Sequence, residues 1–248
     1  MAGWQREPQA CHIPLGFWVV YEPAGFGFFG GRHVSLSRRH LIAGIGTAAV
    51  AGPVFLGSGR RVSAQDVNAA ELLKPGPLGD KILGAENAPV TIVEYASVTC
   101  PHCATFHQQT YPTLKSKYID TGKVRLIFRE FPTQPAPVAI AGFMLARCAG
   151  DKYYPMLDAI FDQQKSWAQD PYQGFLRIAR QAGFTQESFE TCLKDSKLAE
   201  QIQLVAQRGN SEFKVESTPT FFINGKRYVG GLSVVELEKI LEPLLKSS

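Results

Sequence analysis

Val90–Cys103 reads VTIVEYASVTCPHC. Its first six residues are β-branched or apolar with a single acid, Glu94, which predicts a buried strand. Pro101 suits the first turn of a helix, since its missing N–H would be unpaired there anyway. A helix is therefore expected from about Pro101 to about Tyr118. Cys100 and Cys103 form a C-x-x-C at the junction of strand and helix. Cys100, His102, Cys103 and His107 could be read as zinc ligands, but a structural site wants four ligands from well-separated places, and no second C-x-x-C or H-x-x-x-H is present. Haem attachment would need His directly after the second cysteine, where Ala104 stands. A purely structural disulfide would close a very small ring. Redox chemistry fits best. No metal and no separate cofactor are expected, the redox group being the cysteine pair itself.

The chemistry expected of the pair follows from its position. Cys100 would cap the helix that Pro101 opens, facing unpaired N–H groups and the positive end of the helix dipole. Both stabilise a thiolate and lower its pKa. His102 adds a donor or positive charge close by. Cys103, one turn inside, should be buried with a normal or raised pKa and act as the resolving thiol. Stabilising the thiolate stabilises the dithiol form, which makes the disulfide an oxidant.

Further along, Val124–Phe131 (VRLIFREF) reads as a second strand. A long helical stretch follows, with apolar stripes at Ala141, Met144, Leu145 and Cys148, then Leu157, Ile160 and Phe161. Phe175, Ile178 and Ala179 form the next, and Leu198, Ile202 and Val205 the last. Thr220–Ile223, Asn224-Gly225 and Lys226–Val229 read as a hairpin with an Asn-Gly turn. A last helix starts at Ser233, with Glu236 completing a capping box. The order is β, α, β, a block of helices, a hairpin, α.

Upstream, Ser37-Arg38-Arg39-His40 precedes a run of mostly apolar residues, Leu41 to Leu56, containing Gly44, Gly46, Gly52 and Pro53. Arg60 and Arg61 follow, then Val62-Ser63-Ala64. A charged region, a short apolar region and a small-x-Ala site describe a cleavable export signal, and the paired arginines resemble a twin-arginine signal. Residues 1–33, rich in Gly and aromatics and holding Cys11, suit no signal, and a translation start near Val34 is one reading of them. Residues 65–83 read as a loosely packed lead-in.

Composition is that of a globular protein. The 248 residues are 45% apolar and 19% charged, with net charge +4. Residues 1–64 hold six Lys/Arg and two Asp/Glu, and residues 65–248 hold 20 of each, so the whole excess lies in the leader. Nucleic-acid binding is therefore not expected. No apolar run reaches 20 residues, so no spanning helix is expected.

This combination resembles the DsbA-like thiol:disulfide oxidoreductases of the thioredoxin superfamily. Pro101-His102 is that family's dipeptide between the cysteines. Glu94 lies six residues before Cys100, where the family has a buried acid. Thr218-Pro219 precedes a strand where the superfamily has a cis-proline facing the disulfide. The resemblance implies an α/β thioredoxin fold (residues 84–134 and 214–248) with an inserted helical domain (135–213).

It also implies catalytic roles for Cys100, Pro101, His102 and Cys103, and substrate contact by Thr218 and Pro219. Glu94 could serve as a proton relay to Cys103, since burial raises carboxyl pKa values in general, or could simply pair with Arg129. Implied partners are reduced exported proteins and a quinone-linked membrane oxidase similar to DsbB. The location would be the periplasm and the state a monomer. Thr218 departs from the Val frequent in the oxidases and leans toward isomerase or reductase. A thioredoxin-fold binding or chaperone module is a third reading. Cys148 and Cys192 read as a structural disulfide in an oxidising compartment, as two small buried side chains, or as a second redox pair.

Overall fold

The computed structural model describes residues 67–246. The expected export signal and start site lie outside them. Strand β1 is Lys81–Leu83, β2 Val90–Ala96, β3 Val124–Glu130, β4 Thr220–Ile223 and β5 Lys226–Val229. They form one sheet in the order β1-β3-β2-β4-β5. Only β2 and β3 run parallel, and all other neighbours are antiparallel. The parallel pair needs a crossover, which the helical segment between Pro101 and Ile119 supplies.

Side chains alternate across β2. Ile92 and Ala96 enter the main core, while Val93 and Tyr95 enter a second cluster with Ile127, Phe213, Val215, Phe222 and Leu72. On the second face lies helix Ser196–Phe213, with Gly209 directly against Tyr95. A Cβ at position 209 would stand 2.6 Å from the Tyr95 ring, so only glycine permits this approach.

Helix α1 is Ala69–Leu72 and α2 is Pro101–Gln109, with α3 Tyr111–Leu114 and a π-helical turn Lys115–Ile119 after it. The single helix expected to Tyr118 is thus interrupted at Thr110. Pro112 has no N–H to give the carbonyl one turn back, so α2 stops before it. The inserted helices are α4 Ala136–Cys148, α5 Tyr153–Asp162, α6 Gln164–Trp167, α7 Pro171–Gln181, α8 Gln186–Leu193 and α9 Ser196–Phe213. Met144, Leu145, Leu157, Ile160, Phe161, Phe175, Ile178, Ala179, Ile202 and Val205 of the apolar stripes are buried. Helix α8 buries only Phe189 and Cys192, too few to show a repeating stripe in sequence. A disulfide joins Cys148, exposed at the end of α4, to Cys192 of α8 across 6.2 Å between Cα atoms.

The hairpin turns through Asn224 and Gly225 at φ 46° and 85°, the left-handed pair that an Asn-Gly turn requires. Helix α10, Val234–Lys246, is capped by Ser233, whose N–H donates to Glu236 at 2.9 Å. The lead-in differs from expectation. Lys81–Leu83 adds an edge strand to β3, and Leu72 is fully buried. Three residues are too few for alternation to be read. What fixes them is distant: Arg129 holds Asp80 at 3.0 and 3.1 Å, and Arg208 holds the carbonyl of Lys74 at 2.7 Å.

Candidate functional site

Cys100 sits at the cap of α2 with extended backbone, φ −79° and ψ 121°, and Pro101 opens the helix. Both Cys100 and Cys103 are free thiols. Cys100 keeps 9% of its surface exposed and Cys103 none, so only Cys100 can be reached from outside. The loop before it is tied down by hydroxyls. Ser97 Oγ lies 2.9 Å from Thr99 Oγ1, which lies 3.0 Å from Thr133 Oγ1. Gln164 of α6 donates from Nε2 to the carbonyls of Val98 at 2.7 Å and Cys100 at 3.1 Å. The inserted helices therefore grip the backbone of the exposed cysteine. Sequence reading missed Gln164 because α6 meets this loop only through tertiary folding.

The Thr218–Pro219 peptide is cis, and so is Gln134–Pro135, which sequence reading did not single out. Thr218 serves both protonation states of Cys100. Its carbonyl accepts from the neutral thiol at 3.3 Å, and its side chain favours the thiolate.

The two thiols are driven in opposite directions. Cys100 is held down to about 5, first by a hydrogen bond from the Cys103 thiol, then by Thr218 and the N–H groups of Cys103 and His102, against partial burial. The donor from His102 is thus its main-chain N–H, and its imidazole is exposed. Cys103 is pushed well above the usual thiol range, chiefly by burial, then by its hydrogen bond and proximity to Cys100 and by the charge of Glu94. The N–H of Ser97, 3.5 Å away, offsets part of this.

Glu94 is fully buried on the face toward α2. Pairing with Arg129 does not occur. In the parallel register Glu94 lies opposite Phe128, and Arg129 lies opposite Tyr95 on the other face. There Arg129 bonds Asp80 and, at 3.0 Å, Tyr95 Oη. Glu94 Oε1 instead lies 3.1 Å from His107 Nε2. His107 stacks on Phe161 with centroids 4.0 Å apart, and Phe128 and Tyr111 complete its surroundings. Sequence reading considered His107 only for zinc. The signal was available, since His107 follows Cys103 by four residues and so lies on the same helix face. Among the described residues no cluster of three or more His, Cys, Asp or Glu is placed to hold a metal, and no helix is long and apolar enough to cross a membrane.

A β-α-β unit, an antiparallel hairpin, a C-x-x-C at the start of the crossover helix and a proline loop facing it make up the thioredoxin arrangement. A family model described as Thioredoxin matches residues 78–243. The crystal structure of Wolbachia pipientis alpha-DsbA1 is 31% identical with TM-score 0.67, over 73% of this chain and 97% of that one. A Rickettsia bellii protein whose name carries the words protein-disulfide oxidoreductase is 38% identical over 150 residues, 59% of this chain. A Bacillus anthracis relative named for disulfide bond formation is 29% identical over 150 residues, 58% of this chain and 69% of its own length. The chain belongs to the thioredoxin superfamily, among its DsbA-like members, with the helical domain inserted between β3 and β4. It spans 57% of the length of the Rickettsia bellii relative.

Proposed function

We propose that this chain is a thiol:disulfide oxidoreductase that passes disulfides to the thiols of exported proteins through Cys100 and Cys103. A substrate thiolate attacks Cys100 Sγ of the oxidised pair. The Cys100–Cys103 bond breaks and Cys103 leaves with the electron pair and takes up a proton. The substrate's second thiolate then attacks its own sulfur in the mixed disulfide, and Cys100 leaves as a thiolate. The substrate loses two electrons and gains a disulfide, and the enzyme pair is reduced. At neutral pH the reduced pair carries one thiolate and one thiol, so one of the substrate's two protons goes to solvent.

The carrying observation is the opposite displacement of the two thiols, Cys100 to about 5 and Cys103 well upward. A stabilised Cys100 thiolate is a good leaving group and stabilises the dithiol, which makes the disulfide an oxidant. Pro101 sets the helix start, and the loop at Thr218-Pro219 is where an extended substrate would lie against Cys100. No dissociable cofactor takes part. A periplasmic or envelope location, export by the residue 1–64 signal, a monomeric state, no nucleic-acid partner and reoxidation by a quinone-linked membrane oxidase similar to DsbB belong to the same proposal. Residues 84–134 and 214–248 are its thioredoxin part and 135–213 its helical part.

Equilibration of the pair against glutathione tests it. The oxidase reading expects Cys100–Cys103 to be reduced by modest glutathione and Cys100→Ser to abolish disulfide formation in a reduced substrate protein. Unchanged disulfide formation by Cys100→Ser would leave only a binding or chaperone module. A second reading, isomerase or reductase, rests on the residue type at position 218, Thr where the oxidases this chain resembles often carry Val. A pair found mostly reduced in cells would support that reading.

A further inference from the structure

Four polar atoms that disulfide exchange at Cys100 does not use lie in one region between β2, α2, α3 and α5. Glu94 Oε2, His107 Nδ1, Tyr111 Oη and Asp158 Oδ1 are all buried without a hydrogen-bond partner. Leaving one such atom unpaired costs about 1–3 kcal/mol. A fold that keeps four of them together keeps them at a cost in stability, which is common where chemistry needs them.

Their placement forms a line. Cys103 feels the charge of Glu94. Glu94 Oε1 meets His107 Nε2 at 3.1 Å. The far side of the imidazole, Nδ1, is free. Its ring lies flat on Phe161 and 4.9 Å from the ring of Tyr111. Asp158 precedes Phe161 by three residues and so shares its face of α5. Asp158 is half-buried, and its carboxyl senses His107, Asp162, Lys115 and Glu94, in that order. The charged and titratable groups facing the line are thus Glu94 from β2, Tyr111 from α3 and Lys115 from the π-helical turn. Tyr154, Asp158 and Asp162 face it from α5. Phe106 and Phe128 close the rest.

We infer that His107 and Asp158 are positioning residues of a proton route that joins the Cys103 sulfur, through Glu94, to solvent by the protein interior rather than past Cys100. The inference rests on the exchange reaction proposed above. When Cys103 leaves the disulfide it takes a proton from Glu94, which is refilled from His107, and His107 from Asp158 and solvent. When Cys103 attacks a mixed disulfide on Cys100, its proton passes outward by the same groups. One proton moves per step and no electrons travel along the route. A single water held by His107 Nδ1, Tyr111 Oη and Asp158 Oδ1 would span the interval beyond direct hydrogen-bond reach. Burial raises Asp158 to about 6, so it exchanges protons readily near neutral pH.

The test uses the full reduced chain and oxidised glutathione, with acid-quenched samples read by mass. Two rates are separated: formation of the Cys100–glutathione adduct, and its closure by Cys103. His107→Gln and Asp158→Asn should each slow closure by about tenfold or more. Adduct formation and the Cys100 alkylation midpoint near 5 should not change. Wild-type closure should show a pH break near 6 that Asp158→Asn removes. Closure at the wild-type rate in both variants would overturn the route, as would equal slowing of both rates, which marks a merely structural role. Should His107→Gln fail to fold, Asp158→Asn decides by the same two rates. No protein substrate is used. A wild-type chain that forms no adduct would overturn the exchange reaction itself, and normal closure in the variants overturns only the route.

Discussion

Two buried charged sites at neighbouring positions of β2, one on each face of the central sheet, are completed in opposite ways. On the face shared with Tyr95, Arg129 is 3% exposed and every contact is answered: two bonds to Asp80, one to Tyr95 and one to the carbonyl of Lys74. On the face toward α2, Glu94 and His107 share one bond and leave an atom open on each. Glu130 lies opposite Ala96, on the same face as Glu94, and it too is fully paired, accepting from Arg147 in a bidentate pair and from Tyr153 at 2.9 Å; the openness belongs to the Glu94 site and not to its whole face. Glu94 and Tyr95 are adjacent in sequence, so a single step along β2 separates a closed network from an open one. A closed network holds structure together. An open one has places left for a proton to go.

The sharpest way to break this contrast is to remove a partner from the closed side. Arg129→Met leaves Asp80 without its cation and should cost about 3–5 kcal/mol in urea unfolding. The alkylation pH profile of Cys100 in the folded variant should stay as it is. A shift of that profile would show that the two sites are not separate.

Next in size is the linkage of Cys100 to stability. Its folded pKa is depressed from about 9 to about 5. A depressed acid adds stability that is complete above the unfolded value and is lost as pH falls through the folded one. The oxidised pair has no thiol there to ionise. The melting temperature of the reduced protein, relative to the oxidised one, should therefore rise between pH 5 and pH 8. A gap independent of pH would remove the stabilised thiolate. Cys103, displaced upward, opposes this trend only in the alkaline range.

The smallest effect should come from the open side. Burial lifts Asp158 to about 6 from 3.8. A carboxyl raised by burial favours the fold while protonated, and that contribution is lost as pH rises through 6. Asp158→Asn should therefore raise the melting temperature most at pH 8, by about half as much at pH 5, and hardly at all below the unfolded value of 3.8. The reverse order would mean that the carboxylate is paired.

Much of the scaffold was legible because its causes are local. A β-branched, apolar run marks β2, Asn224-Gly225 marks the β4–β5 hairpin, Ser233 and Glu236 mark the start of α10, and Pro101 marks that of α2. The Cys100 cap is legible for the same reason, since the helix start and the chemistry coincide in four residues. What was not legible depends on register and on distant contacts. Whether Glu94 meets Arg129 or His107 turns on a one-residue offset between β2 and β3 that neither strand reveals alone. Lys81–Leu83 becomes a strand only because β3 offers an edge. Gln164 reaches Cys100 from 64 residues away.

The unequal shelter of the two sulfurs gives the couple a handedness in time as well as in space. With 9% of one sulfur's surface open and none of the other's, an incoming chain can be tethered at only one address. Under the exchange proposed above, Cys103→Ser becomes a snare, because a chain captured at Cys100 loses the internal rescuer that would cut it loose. Covalent adducts should accumulate on Cys103→Ser under oxidising conditions, and none on Cys100→Ser. Adducts mapped to residue 103 instead would mean that the sheltered sulfur is the one the outside world meets.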